Sequence, residues 1–145
     1  MDDLFSMYDL QLLRRESLNG VSTIVVSFKA KPDYKPKTAD LRNLQHIAGN
    51  AWIAEGDHEL VKIEAEVTDA ISIVAGFLAK VQKGSTIFAE RRKINDEIWL
   101  PFRAEAHING KLLLLKGINI HEVLEYSDYR KFSVDTNLEF GEPRN

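Results

Sequence analysis

The 145-residue chain contains no cysteine, and it is also poor in proline (4 residues) and glycine (8 residues). Without cysteine the chain cannot form a disulfide framework, a thiolate zinc site or a cysteine nucleophile. The low glycine and proline content excludes collagen-like and low-complexity classes. Because 44% of the residues are apolar, the composition is that of a globular domain.

The chain also lacks a strong charge of one sign and a long hydrophobic run. Its 19 Lys and Arg nearly balance 22 Asp and Glu, so we expect no basic surface that binds nucleic acid. The longest apolar stretch, residues 70–79, is interrupted by Ser72 and Gly76 and is far shorter than the roughly 20 residues of a bilayer span. The acidic start is unlike a secretory signal. We expect one domain over residues 1–136 and a flexible tail over 137–145.

Hairpin and helix patterns organise the first third of the chain. Val21–Ala30 is rich in β-branched residues, and the preceding Asn19-Gly20 favours a type I′ turn, which predicts a partner strand over Asp9–Leu18. Apolar residues at three-residue spacing then predict a short helix over Thr38–Ala48 that ends at Gly49.

Alternation of apolar and polar residues returns after this helix. Residues 51–53 and 59–67 predict a second hairpin around a turn at residues 55–58. Positions 61, 63, 65 and 67 are apolar and positions 62, 64 and 66 are charged. This pattern is typical of a strand with one face on a core and the other in water.

Residues 68–83 break the alternation and predict a helix. Asp69 is a suitable N-cap, apolar residues recur at helical spacing, and Gly84 is placed to end the helix. Ile73 and Phe77 extend the apolar surface around most of the circumference. We therefore expect this helix to be covered on two sides or to face a ligand.

The remainder predicts a meander of antiparallel strands. Ser85–Ile94 turns at Asn95-Asp96 into residues 98–108, and Asn109-Gly110 predicts a hairpin to residues 111–126 in which Ile108 faces Lys111. Pro101 cannot donate a hydrogen bond to a ladder, so it predicts a bulge or an unpaired site on its strand. About six to eight strands with one or two helices indicate an α+β fold, a curved antiparallel sheet with helical cover.

No motif for catalysis, metal binding or cofactor binding is present. The four histidines (His46, His58, His107 and His121) form no i, i+4 pair and no spaced cluster with carboxylates, so we predict no metal site. A G-x-S-x-G elbow, a Walker A loop and a G-x-G-x-x-G fingerprint are all missing. We therefore expect a protein that is not an enzyme and has no cofactor.

The sequence has instead a surplus of apolar residues. They include the segment 68–83, the run Leu112–Leu115 and several aromatic residues on the predicted strands. A curved sheet with helices across it can enclose an apolar pocket, but the same residues can also fill an ordinary core. The residues alone leave both interpretations open.

Three segments carry a resemblance to a known family. Residues 49–53 (GNAWI) resemble a G-x-x-W-I-D strand with Ala54 in place of Asp, residues 97–101 (EIWLP) match an E-x-W-L-P strand, and residues 126–132 match a terminal Y-S-D-Y-R-K-F. Over residues 8–132 the chain resembles the C-terminal half of bacterial envelope proteins related to the outer-membrane lipoprotein carrier and sorting proteins.

The resemblance implies a strongly curved half-barrel with helices on its concave side, a periplasmic location, and a domain that lacks the N-terminal strands of its relatives. It also implies acyl chains of a lipid or lipoprotein as the ligand, and a homodimer through the exposed sheet edge. The alternative is a structural or interaction domain with an apolar oligomer interface. The predicted ligand contacts are Phe28, Trp52, Ile63, Ile73, Phe77, Leu78, Phe88, Leu100, Phe102 and Leu113.

Overall fold

The structure, a computed structural model, describes residues 2–74, 78–112 and 116–130. In these residues nine strands form one open antiparallel β-sheet, accompanied by two short helices. The elements in chain order are α1 (Asp2–Met7), β1 (Tyr8–Leu18), β2 (Val21–Ala30), α2 (Ala39–Leu44), β3 (Ile47–Ala54), β4 (Leu60–Val67), β5 (Ile71–Val74), β6 (Leu78–Val81), β7 (Thr86–Ile94), β8 (Ile98–Leu112) and β9 (Lys116–Glu125).

The order of the strands follows the chain except at one hairpin. β1 to β4 pair consecutively and β7 adds directly to β4, so the β5–β6 hairpin is skipped. β8 is the longest strand. Its first part pairs with β7 and its last three residues pair with β6, while β9 runs along its other edge. β8 therefore joins the main meander to the hairpin.

The predicted first hairpin is confirmed. β2 has the predicted bounds and β1 begins one residue earlier than predicted. Asn19 and Gly20 both have positive φ (50° and 78°), as a type I′ turn requires. The short helix α2 lies inside its predicted range, and the Thr38 hydroxyl caps it. This helix ends earlier than predicted, since β3 already begins at Ile47, and Gly49 lies inside that strand and does not end the helix.

Three further local predictions are confirmed. β3 and β4 flank the expected turn around residues 55–58. The β7–β8 turn contains Asn95 and Asp96, with φ of 52° and 56°. The register between these strands shifts from the pair Glu90–Arg103 to the pair Arg91–Pro101, so the proline lies at a bulge.

The predicted helix over residues 68–83 is wrong. Residues 71–74 and 78–81 are β5 and β6, which pair antiparallel from Ile71 with Val81 to Val74 with Leu78, and residues 75–77 lie outside the described part. β6 also pairs with the end of β8. Pairing with a segment that is distant in sequence has overridden the local helical spacing.

The predicted hairpin at Asn109-Gly110 is also wrong, because β8 continues through both residues. Gly110 instead permits a close approach of β6, since a Cβ there would lie 2.6 Å from the carbonyl oxygen of Lys80. Ile108 pairs with Ile120 of β9 rather than with the predicted Lys111. Residues 113–115, which connect β8 to β9, lie outside the described part.

The register gives the sheet two chemically different faces. On one side, here called the groove face, neighbours across the strands are apolar, as in the row Val26, Ala51 and Ile63. On the other side, the back face, polar residues such as Glu64 and Glu105 lie in one row across the strands. Alternation along each strand keeps the two sets apart.

The buried core is centred on Trp52, whose side chain lies on the back face. Its cluster also contains Val25, Ala54, Val61 and Trp99. Each indole N–H has a carboxylate acceptor: Trp52 donates to Glu16, and Trp99 donates to Asp57 at 2.8 Å. The core therefore buries two large rings without leaving either N–H unpaired.

Candidate functional site

An apolar groove lies on the groove face of β1 to β4. Its volume is about 570 Å³, which falls within the range of roughly 300–1,000 Å³ found for ligand pockets. Phe5 of α1 and Leu44 of α2 border the groove. The strands contribute, among others, Tyr8, Leu10, Val26, Phe28, Ile53 and Ile63.

Among the described residues that line this groove, Tyr8 carries the only polar side-chain atom, and that atom already has a partner. Its hydroxyl donates a hydrogen bond of 2.6 Å to the carbonyl oxygen of Leu44, and its ring packs edge-on against Phe28 at 5.4 Å. Burial raises the pKa of the Tyr8 hydroxyl, so it stays protonated at neutral pH. None of the described residues that line the groove is charged.

Several side chains of the groove are open to solvent. Phe5 is 64% exposed, Leu10 is 52% exposed and Ile87 is 40% exposed. Single exposed apolar residues are ordinary, but a contiguous apolar patch usually marks a binding surface. The groove therefore has the composition of a site that an apolar ligand or partner covers.

Four of the predicted ligand contacts divide between the two faces. Phe28 and Ile63 line the groove. Trp52 is 3% exposed and belongs to the core at the back face. Phe88 lies on the back face as well, where the Lys62 ammonium is 5.5 Å from its ring and 4.1 Å from that of Trp52.

The other predicted contacts lie away from the groove or outside the described residues. Phe102 packs against the guanidinium of Arg92 at 3.3 Å, and Leu100 pairs with Arg92 in the β7–β8 ladder. Ile73 lies on β5 and is 41% exposed. Leu78 begins β6. Phe77 and Leu113 lie outside the described residues.

Tyr8, Leu10 and Leu44 are among the groove residues that were not predicted from the sequence. The Asn19-Gly20 turn sets the register near the turn, but a bulge between Leu12 and Arg14 shifts it before Leu10 is reached. Leu10 then faces Phe28 and joins its row. The apolar alternation at positions 8, 10 and 12 was the available signal, but it does not show what those residues face.

A polar cluster on β8 and β9 lies on the back face. The Nε2 atoms of His107 and His121 are 3.0 Å and 3.2 Å from the same oxygen, Oε1 of Glu105. The two imidazole rings are stacked, with centroids 3.8 Å apart. The three side chains present ligand atoms within 4.8 Å of one another, so this set could hold a metal ion.

The cluster also has a strong effect on its carboxyl group. Hydrogen bonds from His107, His121 and Arg103 lower the pKa of Glu105 to about 2, so it is a carboxylate at neutral pH. No metal site was predicted from the sequence, because the four histidines form no i, i+4 pair and no spaced cluster with carboxylates. With the observed register, His107 and His121 are direct cross-strand partners.

Comparison of this chain with protein-family models, with curated proteins and with solved structures gives no match. Among the described residues, no helix has the length and apolar character needed to span a membrane. The groove and the polar cluster are therefore the two features of the described residues that bear on function.

Proposed function

We propose that this chain is a non-enzymatic binding protein that holds an acyl chain of a lipid or of a lipoprotein in the groove. The observation that carries this proposal is the groove of about 570 Å³, whose described lining has no charged side chain. The one lining hydroxyl, that of Tyr8, is engaged with Leu44. Such a site favours a ligand that needs burial rather than directed hydrogen bonds.

Burial alone sets the expected selectivity. Each buried methylene contributes about 0.8 kcal/mol, which corresponds to roughly a fourfold gain in affinity. Because the described lining offers no charged anchor, we expect the affinity to follow the length of the acyl chain and to depend little on its head group.

We further propose that the sheet curves around the groove as a half-barrel with both helices on the concave side. Phe5 of α1 and Leu44 of α2 border the groove, which supports this arrangement. Gly49 supports the curvature, since it allows β3 to approach β4 closely. A location in the bacterial envelope rests on the resemblance of residues 8–132 to lipoprotein carrier and sorting proteins.

Displacement of a fluorescent fatty acid by saturated fatty acids of increasing length tests the proposal. We expect affinity to rise up to about fourfold per methylene until the groove is full. Leu10→Glu places a charge in the groove and should abolish uptake. Leu13→Glu is the matched control, because Leu13 lies on the same strand, is 42% exposed and does not line the groove.

Two results would contradict acyl-chain binding in the groove. The first is a wild-type protein that takes up no fatty acid while its circular dichroism shows a folded sheet. The second is an equal loss of uptake in Leu10→Glu and Leu13→Glu, which would show that the site is not the groove.

A second candidate function is protein interaction through the edge strand β1. Among the described strands β1 pairs with β2 alone, and Leu12 on it is 63% exposed. An unpaired apolar edge of this kind can pair with a second copy of the chain. A dimer in light scattering that dissociates on Leu12→Lys, together with no uptake of fatty acid, would favour this function over the first.

A further inference from the structure

The β8–β9 ladder itself assembles the polar cluster of Glu105, His107 and His121. Glu105 and His107 are two residues apart in β8, so their side chains lie on the same face. His121 is the cross-strand partner of His107. Since both strands are regular at these positions, the cluster follows from the backbone register and needs no loop to complete it.

The spacing of the cluster matches that of metal ligands. Two ligands at about 2.0–2.1 Å from a tetrahedral zinc ion are roughly 3.3 Å apart. The Nε2 atoms of His107 and His121 are 3.0 Å and 3.2 Å from Oε1 of Glu105. All three ligand atoms lie within 4.8 Å of one another, so their separations are close to those around a single bound ion.

Neighbouring residues orient the Glu105 carboxylate and leave space beside the cluster for a further ligand. Nη2 of Arg103 is 3.0 Å from Oε2 of Glu105, so this guanidinium holds one oxygen and leaves Oε1 to face the imidazoles. Glu105 and His107 also border a depression of about 580 Å³ on the back face. That space is sufficient for a water or another small ligand at a fourth coordination position.

We propose that Glu105, His107 and His121 bind one divalent transition-metal ion such as Zn²⁺. Two imidazole nitrogens favour zinc, copper, nickel or iron, whereas Mg²⁺ and Ca²⁺ prefer all-oxygen sites. With three protein ligands, the ion keeps an open position. Because the ligands come from two strands, the ion fastens β9 to β8. The site lies on the back face and does not depend on the acyl groove.

Calorimetric titration of the full chain with Zn²⁺, and separately with Mg²⁺, tests this site. We expect one zinc ion per chain, no saturable Mg²⁺ binding, and a higher melting temperature with zinc. His121→Phe keeps an aromatic ring stacked on His107 but removes one ligand, so zinc affinity should fall by more than about 100-fold. His58→Asn is the control, since asparagine tolerates the positive φ of 60° at that turn.

Two outcomes would overturn the proposal: no saturable zinc binding by the wild type, or equal zinc affinity in the wild type and His121→Phe. An NMR titration of the wild-type protein keeps the proposal testable even if His121→Phe fails to fold. One equivalent of Zn²⁺ should shift the imidazole NMR signals of His107 and His121 and leave those of His46 and His58 unchanged. Equal shifts at all four histidines would count against a specific site.

Discussion

Replacing Gly49 by alanine tests how closely β3 and β4 approach each other beside the groove. A Cβ at this position would overlap the carbonyl oxygen of Glu64 and lie 2.8 Å from the Cα of Ala65. Both are backbone atoms, so a side-chain rotation cannot relieve the overlap. The two strands would have to move apart, which weakens their ladder.

The expected cost follows from two opposing effects. Forcing an extra methyl group into a packed site costs about 1–3 kcal/mol, and a clash with the backbone belongs at the upper end of that range. Loss of a flexible glycine from the unfolded chain offsets about 0.4–1 kcal/mol. We therefore expect Gly49→Ala to lower the free energy of unfolding by about 2 kcal/mol.

Urea denaturation followed by circular dichroism measures this difference. Gly56→Ala is the matched control, because a Cβ there meets no atom within 4 Å. We expect its unfolding midpoint to stay the same or to rise slightly. If Gly49→Ala and the wild type unfold at the same urea concentration with the same slope, close packing of β3 on β4 is not a constraint and our reasoning is refuted.

Two further predictions concern Asp57, which accepts a hydrogen bond from the core residue Trp99, and the β5–β6 hairpin. Hydrogen bonds from Trp99 and Lys93 lower the pKa of Asp57 from 3.8 to about 2. A carboxyl group whose pKa is lower in the folded state stabilises the fold at pH values above its pKa in the unfolded chain. Asp57→Asn should therefore be less stable than the wild type at neutral pH. This difference should disappear as the pH falls from about 4 to about 2, and urea midpoints that differ equally throughout would contradict it. Gly110→Ala puts a Cβ 2.6 Å from the Lys80 carbonyl oxygen and should loosen β6, so limited proteolysis within residues 68–85 should be faster than in Gly117→Ala, whose Cβ meets no atom within 4 Å. Equal cleavage rates would count against it.

The parts of the sheet that could be predicted are those whose structure is determined by residues close together in the sequence. The Asn19-Gly20 turn demands positive φ at two positions, and β-branched residues follow it, so the first hairpin has little alternative. Pro101 could be assigned to a bulge or an unpaired site because it has no amide hydrogen to donate, and the structure has a bulge there. Such features depend only on neighbouring residues.

The errors arose where a distant segment decides the structure. Residues 71–81 have helical spacing, yet β6 pairs with β8, which lies some thirty residues further along the chain. Gly110 follows an asparagine, as a turn glycine often does, but in the structure its lack of a side chain allows the backbone of Lys80 to lie close to β8. That second error also concealed the cluster, because the pairing of His107 with His121 appears only in the observed register.

The proposed ion and the proposed acyl chain lie on opposite faces of a single sheet layer, where β7 and β8 are neighbours. Glu105 faces the back of the sheet, while the next residue, Ala106, pairs with Ile87, which borders the groove. Thermodynamic linkage makes any coupling across this layer reciprocal: if zinc changes the affinity for an acyl chain by some factor, the acyl chain changes the affinity for zinc by the same factor. Titrating either ligand in the presence of the other therefore measures how strongly the sheet couples its two faces.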